Sequence, residues 1–274
     1  RSLVGSEMCI RDRMSINKKH VKTFWNRRFL LYELVKKGIK LKYRRSYLGI
    51  LWSMLEPILT TIVLTIVFGT LFGNNDKEFP LYILCGRLVY SFFATGTKTA
   101  SKSIRLNAAM IKKVYIPKYL YPLSCVLYNY VIFAISLIVM VPLAVYCNVT
   151  VTWHIIEAII PLLLLFILTF GVGMILTTIN VFFRDMEYIW EVLLMLIMYS
   201  SAIFYYPERL MNSGYAWILK WNPLYCMIQS FRNAMFGEAM DMGLTAYAAV
   251  CSIVVLILGV ICFYKKQDDF ILQI

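Results

Sequence analysis

Acidic and titratable side chains are scarce in this chain. Of 274 residues, 15 are Asp or Glu and two are His, and charged types make up 16% in all. A hydrolase or transferase working in a membrane needs clustered acids, histidines or a metal-binding set on one face, and His20 and His154 stand far apart with no such set around them. The pattern GxxxxGK[ST] is absent, which excludes nucleotide hydrolysis by the P-loop route within this sequence. HExxH and GxSxG are absent too. None of the seven cysteines forms a CxxC pair, so neither a disulfide framework nor a metal site is implied, and the expected catalytic, metal and cofactor sets are empty. Asp185 with Glu187, and Asp268 with Asp269, are the close cytoplasmic acidic pairs and read as solvated surface or contact residues.

Apolar residues are abundant: 60% of the chain is hydrophobic and the mean hydropathy is +0.68, too much apolar surface for a soluble domain of this size. The fold class expected is an all-α membrane protein. The net charge of +13 lies beside the apolar runs, which reads as a positive-inside bias and not as a nucleic-acid surface.

Residues 1–13, RSLVGSEMCIRDR, hold no apolar core long enough for a secretory signal and resemble translated upstream or adapter sequence, with Met14 the expected start. Residues 14–48 read as a cytoplasmic interface region. Within it, Phe24 to Arg45 is an amphipathic helix at 100° per residue. Leu30, Leu31, Leu34, Val35, Gly38, Ile39 and Leu41 fall on one half and Glu33, Lys36, Lys37, Lys40 and Arg44 on the other. Such a helix lies in the membrane interface, its cations toward anionic head groups.

Six spans are expected over residues 49–264, with residues 265–274 as a cytoplasmic tail. They are Ile50–Phe72, Leu81–Ser101, Leu123–Cys147, Ile155–Val181, Tyr188–Tyr206 and Leu244–Tyr264, each long enough at ~1.5 Å per residue to approach a ~30 Å core. Span one carries Glu56-Pro57 about one and a half turns in, either as a buried carboxylate or as part of a pathway. Span two carries Arg87 and Lys98, read as snorkelling to opposite faces; in the alternative, Arg87 with Tyr90, Phe92 and Phe93 faces a wet cavity. A basic segment, Ser103–Pro122, holds a short helix at Asn107–Val114. Gly171 and Gly173 in span four suit close helix contact. Asn222-Pro223 is an N-cap followed by proline at the first helical position, opening a helix to Gly237 that is too short to span, and the region reads as one or two short helices lying in or dipping into the outer interface. Of the 28 Lys and Arg, 22 then lie on one side and four on the other, which places both termini in the cytoplasm. The chain also holds 17 Phe, 19 Tyr and 6 Trp. These suit packing and interfacial belts, or an aromatic passage for a sliding carbohydrate.

KLKYRRSYLGILWSMLEPIL at Lys40–Leu59, NAAMIKKVYIPKYLYPLS at Asn107–Ser124, NVFFRD at Asn180–Asp185, SAIFYYPER at Ser201–Arg209, and Asn222-Pro223 with Phe231-Arg232 together resemble the ABC-2 permease family. The likeness is to the branch exporting lipid-linked polysaccharides such as O-antigens, capsules and teichoic acids, and covers nearly the whole chain from Phe24. It implies a non-enzymatic permease subunit in a bacterial inner membrane. Its partners would be a second copy in a homodimer, two copies of a cytoplasmic ABC ATPase that holds ATP and Mg, the lipid-linked glycan and membrane lipids, with no nucleic acid. By position it assigns ATPase coupling to Lys36, Lys37, Arg44, Arg45, Lys112, Lys113, Tyr115, Arg184 and Asp185. Channel lining falls to Trp52, Glu56, Arg87, Tyr90, Phe93, Tyr199 and Tyr205, and an outer gate to Trp217, Trp221, Pro223, Phe231 and Arg232. The rivals are an ABC-2 exporter of a drug or smaller lipid and, in another class, a membrane enzyme acting on a lipid-linked sugar.

Overall fold

The computed structural model describes residues 28–72, 76–113, 116–149, 152–211 and 214–273. The suspected leader and Tyr115 lie outside the described residues. Among those described there is no strand, and the chain is a bundle of helices. The first, α1 (Arg28–Tyr43), turns the face predicted from its periodicity toward the bundle. Leu30, Leu31, Leu34, Val35, Gly38 and Ile39 are half-buried, whereas Glu33, Lys36, Lys37 and Lys40 are exposed; Leu41, expected with the apolar set, is exposed at 55%. At Gly38 the helix lies directly on the Tyr128 ring, with no room for a Cβ.

Among the described residues, five helices are long and apolar enough to cross a membrane: Gly49–Leu71, Phe79–Leu106, Leu120–Tyr146, Trp153–Phe182 and Met242–Lys266. The first contains α2 (Trp52–Phe72), entered through a short 3-10 turn at Gly49–Leu51, and the second is α3 (Phe79–Leu106). After α4 (Ala108–Ile111), a shorter helix than the predicted Asn107–Val114, α5 (Leu120–Ser136) and α6 (Met140–Tyr146) run on as one rod, and α7 (Ile159–Phe182) returns. The chain goes on through α8 (Met186–Ser200), α9 (Glu208–Met211), α10 (Ala216–Lys220), α11 (Pro223–Phe236), α12 (Met242–Lys266) and α13 (Phe270–Gln273).

The less apolar sequence of α3 follows from its place. Of its most apolar stretch 72% is buried against protein, against 11% for α2. Lipid cannot answer a polar side chain, but neighbouring helices can. Thr97 receives a hydrogen bond from the Trp190 indole, Thr99 receives one from Asn129, and the Ser101 carbonyl receives one from Asn180. Helices α7 and α12 approach closely: a Cβ on Gly171 would meet the Leu256 backbone at 2.7 Å, and one on Gly259 would fall on the Gly171 carbonyl oxygen. Without lipid-phase hydrophobic drive, such small-residue contact lets dispersion hold helices together.

The expected fifth span is where the structure departs from the sequence reading. Its helix α8 has 15 residues, about 22 Å at ~1.5 Å per residue and short of a ~30 Å core. Beyond Ser200 the chain unwinds through Ala202, whose φ of 46° is left-handed. The reason lies twenty residues on. The Asn222 amide donates to the Ser200 carbonyl and to both Ser200 and Ser201 hydroxyls, while its Oδ1 accepts from the Leu224 and Tyr225 N–H groups. One side chain thus ends α8 and starts α11, satisfying carbonyl and N–H groups that helix ends leave open.

At the end of the bundle where α3, α7 and α12 finish, the C-terminal tail is part of the core. Phe270 is fully buried against Phe263 and Phe182, with Lys118 over its ring and Lys118 Nζ bonded to the Gln267 carbonyl. This end also carries α4 and residues 182–186, and Lys112, Lys113, Arg184, Lys265 and Lys266 are exposed there beside Asp185, Asp268 and Asp269.

Candidate functional site

Where α1 ends and α2 begins, these two helices, α3 and α5 enclose a polar chamber of about 160 Å3. Ser136 at the end of α5 donates to the Ser53 carbonyl at 2.8 Å, tying the start of α2 to the end of α5. Lys42, Tyr43, Trp52, Glu56, Arg87 and Asn129 are among the chamber's walls. Three residues predicted to line a pathway, Trp52, Glu56 and Arg87, therefore meet in one space. Arg87 is half-buried, lining both this chamber and an adjoining open groove of about 450 Å3 formed by α2, the end of α8 and Phe204.

The other predicted lining residues divide. Tyr199 is 54% exposed and lies on that groove; Tyr205 donates its hydroxyl to the Tyr199 carbonyl at 2.9 Å. Tyr90 and Phe93 are buried between α3 and α8 instead: the Tyr90 hydroxyl donates to the Leu194 carbonyl at 2.9 Å, and Phe93 packs on Trp190. In this chain they join two helices.

Toward the basic end the same two helices are joined by charge. Lys98, Lys102 and Arg105 recur along one face of α3. Glu187 and Glu191, four residues apart, answer them from α8: Lys98 to Glu191 at 3.0 Å, Lys102 to Glu187 at 2.9 Å and Arg105 to Glu187 at 2.5 Å. Asn180 at the end of α7 adds a hydrogen bond to Glu187 at 3.1 Å. Partial burial opposes the Glu187 charge, but the Lys102 and Asn180 hydrogen bonds and the two nearby cations outweigh it and hold the carboxyl below its usual range. Lys98 was expected to snorkel, and Glu187 to be solvated; each has a partner instead. The signal was present in the sequence as facing stripes of opposite charge at helical spacing, and it was missed because nothing in the sequence pairs span two with span five.

Of the residues assigned to coupling, Lys36, Lys37, Arg44, Arg45, Lys112, Lys113, Arg184 and Asp185 are all exposed. Arg184 and Asp185 sit in the turn that leads directly into Glu187, so a force applied to that turn reaches α3 through the ion pairs.

The residues predicted for an outer gate separate in the same way. Trp217 and Trp221 face outward at 61% and 76% exposure and Pro223 opens α11, whereas Phe231 and Arg232 are buried at 2% and 1%. The Arg232 guanidinium donates to the carbonyls of Tyr82, Ala202 and Ile203 at 3.0–3.3 Å. A buried charge is tolerable only when its donors are used, and here they bind α11 to α3 and to the unwound stretch after α8. Gly86 leaves the space: a Cβ there would meet the guanidinium at 2.6 Å.

The sequence that builds this bundle matches a known family. The family described as ABC-2 type transporter matches residues 30–236. This chain is an ABC-2 family member. The ABC-2 chain is 29% identical over 255 residues to the O-antigen export system permease protein RfbA of Myxococcus xanthus, covering 91% of this chain and 97% of that protein. A protein of the same description from Klebsiella pneumoniae is 28% identical over 247 residues, covering 88% and 93%. The polysialic acid transport protein KpsM of Escherichia coli is 24% identical over 245 residues, covering 85% and 92%.

Proposed function

We propose that this ABC-2 chain is the transmembrane subunit of an ATP-driven exporter that carries a lipid-linked polysaccharide across a bacterial cytoplasmic membrane. The observation that carries the reading is the end-to-end match to a polysaccharide permease, over 91% of this chain and 97% of the relative. Two permease copies form the working unit with two copies of a cytoplasmic ATPase, which holds ATP and Mg. The basic end lies in the cytoplasm with both termini, and α8 with residues 201–206 makes the sixth crossing.

ATP binding acts on the exposed turn at Arg184-Asp185 and on α1, and the Glu187 pairs pass the displacement to α3. Nucleotide shifts the permease only as far as it favours one arrangement over the other. Trp217 and Trp221 lie at the outer interface, and Arg232 holds the short helices of the outer gate in place.

The test is deletion of the coding sequence. Lipid-linked glycan should accumulate on the cytoplasmic side and surface polysaccharide should vanish, with restoration by the intact chain and a companion ATPase recovered with it. Normal surface glycan in the deleted cells would sink the reading. Loss of drug efflux in place of glycan would move the substrate to a smaller molecule.

A further inference from the structure

Past the apolar run of α12 the chain reads KKQDDF. A segment of that composition is ordinarily solvated, and Lys265, Lys266, Asp268 and Asp269 are exposed. Phe270 is 0% exposed. The chain turns back to put it there, with the Asp269 and Phe270 N–H groups donating to the Lys266 and Gln267 carbonyls at 3.2 and 3.4 Å. What meets the ring comes from two segments far apart along the chain. The Phe182 ring, at the end of α7, lies edge-on to it with centroids 6.0 Å apart, and Lys266 stands 5.8 Å over Phe182 in turn. From the segment before α5, Lys118 holds its ammonium 5.9 Å over the Phe270 ring and bonds the Gln267 carbonyl, while Tyr119 packs near Tyr264 of α12 at 6.5 Å. Phe263 closes the cluster from α12 at 5.2 Å.

An edge-on ring and a cation over a ring face both have preferred geometries, so a displacement of one partner is resisted by the other. Coupling between distant segments is carried by contiguous contacts of this kind. We propose that Phe270 is a positioning residue for transport: it clasps the segment at Lys118 to the turn that runs from Phe182 to Asp185, so that the two move as one body and a displacement of either is delivered to α5 and α7 together. The use of the clasp in transport rests on the proposed exporter; the clasp itself rests on the contacts of Phe270.

Hydrogen–deuterium exchange on the full chain in phosphatidylcholine nanodiscs reads the clasp. Both segments hold hydrogen-bonded amides, Tyr121 and Leu123 in one and Phe183 and Met186 in the other. Phe270→Ala should speed exchange at least fivefold in both, and Phe270→Leu, which keeps an apolar plug, should restore most of the protection. Parent-like exchange in either segment overturns the clasp. Export reads its use. In cells carrying each variant in place of the parent chain, Phe270→Ala should cut surface glycan at least fivefold while the purified complex with its ATPase keeps at least half its ATP hydrolysis. Lys118→Met, which keeps a long stem and removes the bond to Gln267, should give a smaller fall of the same kind and carries the test where Phe270→Ala does not accumulate. Complex, hydrolysis and export falling in proportion in both variants would make the contact structural alone and overturn the proposal, as would parent-level export with both segments loosened. A parent chain that exports no glycan, with the paired loss of protection still seen in Phe270→Ala, would cost the proposed function and keep the clasp.

Discussion

Arg232 lies with its guanidinium carbon 3.4 Å from the centre of the Tyr82 ring while two of its nitrogens donate to the Tyr82 backbone carbonyl. The same residue is thus held through both its π-face and its peptide. Because the remaining donor bonds go to Ala202 and Ile203, this contact fixes where α8 stops and how α11 sits against α3.

Replacing Arg232 with Met should therefore destabilise the bundle, because the buried carbonyls of Tyr82, Ala202 and Ile203 lose their donor, at ~1–3 kcal/mol for a carbonyl left unsatisfied. Arg232→Lys should recover only part, since an ammonium cannot reach three carbonyls in a fork. Thermal unfolding in detergent of the two variants against the parent checks both the size and the order.

Glu187 gives a pH signature. Its carboxyl is held below the usual range in the folded chain, so its contribution is present above the unfolded value of ~4.3 and is lost as pH falls through the lower folded value. Glu187→Gln should melt below the parent at pH 7 and converge with it at the acid end of a pH 7 to 3 series. A constant gap across that series would show that the charge plays no part.

Gly171 and Gly259 are predicted to be the least replaceable small residues. Leucine at either has to enter the backbone of the facing helix, and α7 must separate from α12, with a loss of several kcal/mol or failure to insert stably. The double change should cost little more than either single one, because both break one contact. Yield of monodisperse protein and its melting temperature report the outcome.

The turn before Glu187 gives a functional prediction. Reversing its charges with Arg184→Glu and Asp185→Lys alters two exposed side chains and leaves the core intact, so folding should be unchanged. Export should fall at least tenfold while the separate ATPase keeps its own activity. Unchanged export in the double variant would remove this turn from the coupling path.

The helices themselves were legible in the sequence, because apolar runs of about 20 residues have few other fates. So were the buried half of α1, the Asn222 cap with Pro223 and the close-contact Gly171 and Gly173, since each depends on spacing within one element. The site was legible only in part. Trp52, Glu56 and Arg87 were named singly, and nothing along the chain says that residues 35 positions apart wall one chamber.

By itself the sequence determined that this is an all-helical membrane chain, which stretches are apolar, where charge gathers and where helices begin. Those are local matters of side-chain solvation and backbone capping. The tertiary structure alone decided which charges are answered and which are not: Lys98, Lys102 and Arg105 meet glutamates from a distant helix, Arg232 is absorbed by carbonyls of an unwound turn, and Arg87 is left facing open space. In a low-dielectric interior the cost of a charge is set by its neighbours within a few ångströms, and those neighbours come from packing across the bundle rather than order along the chain.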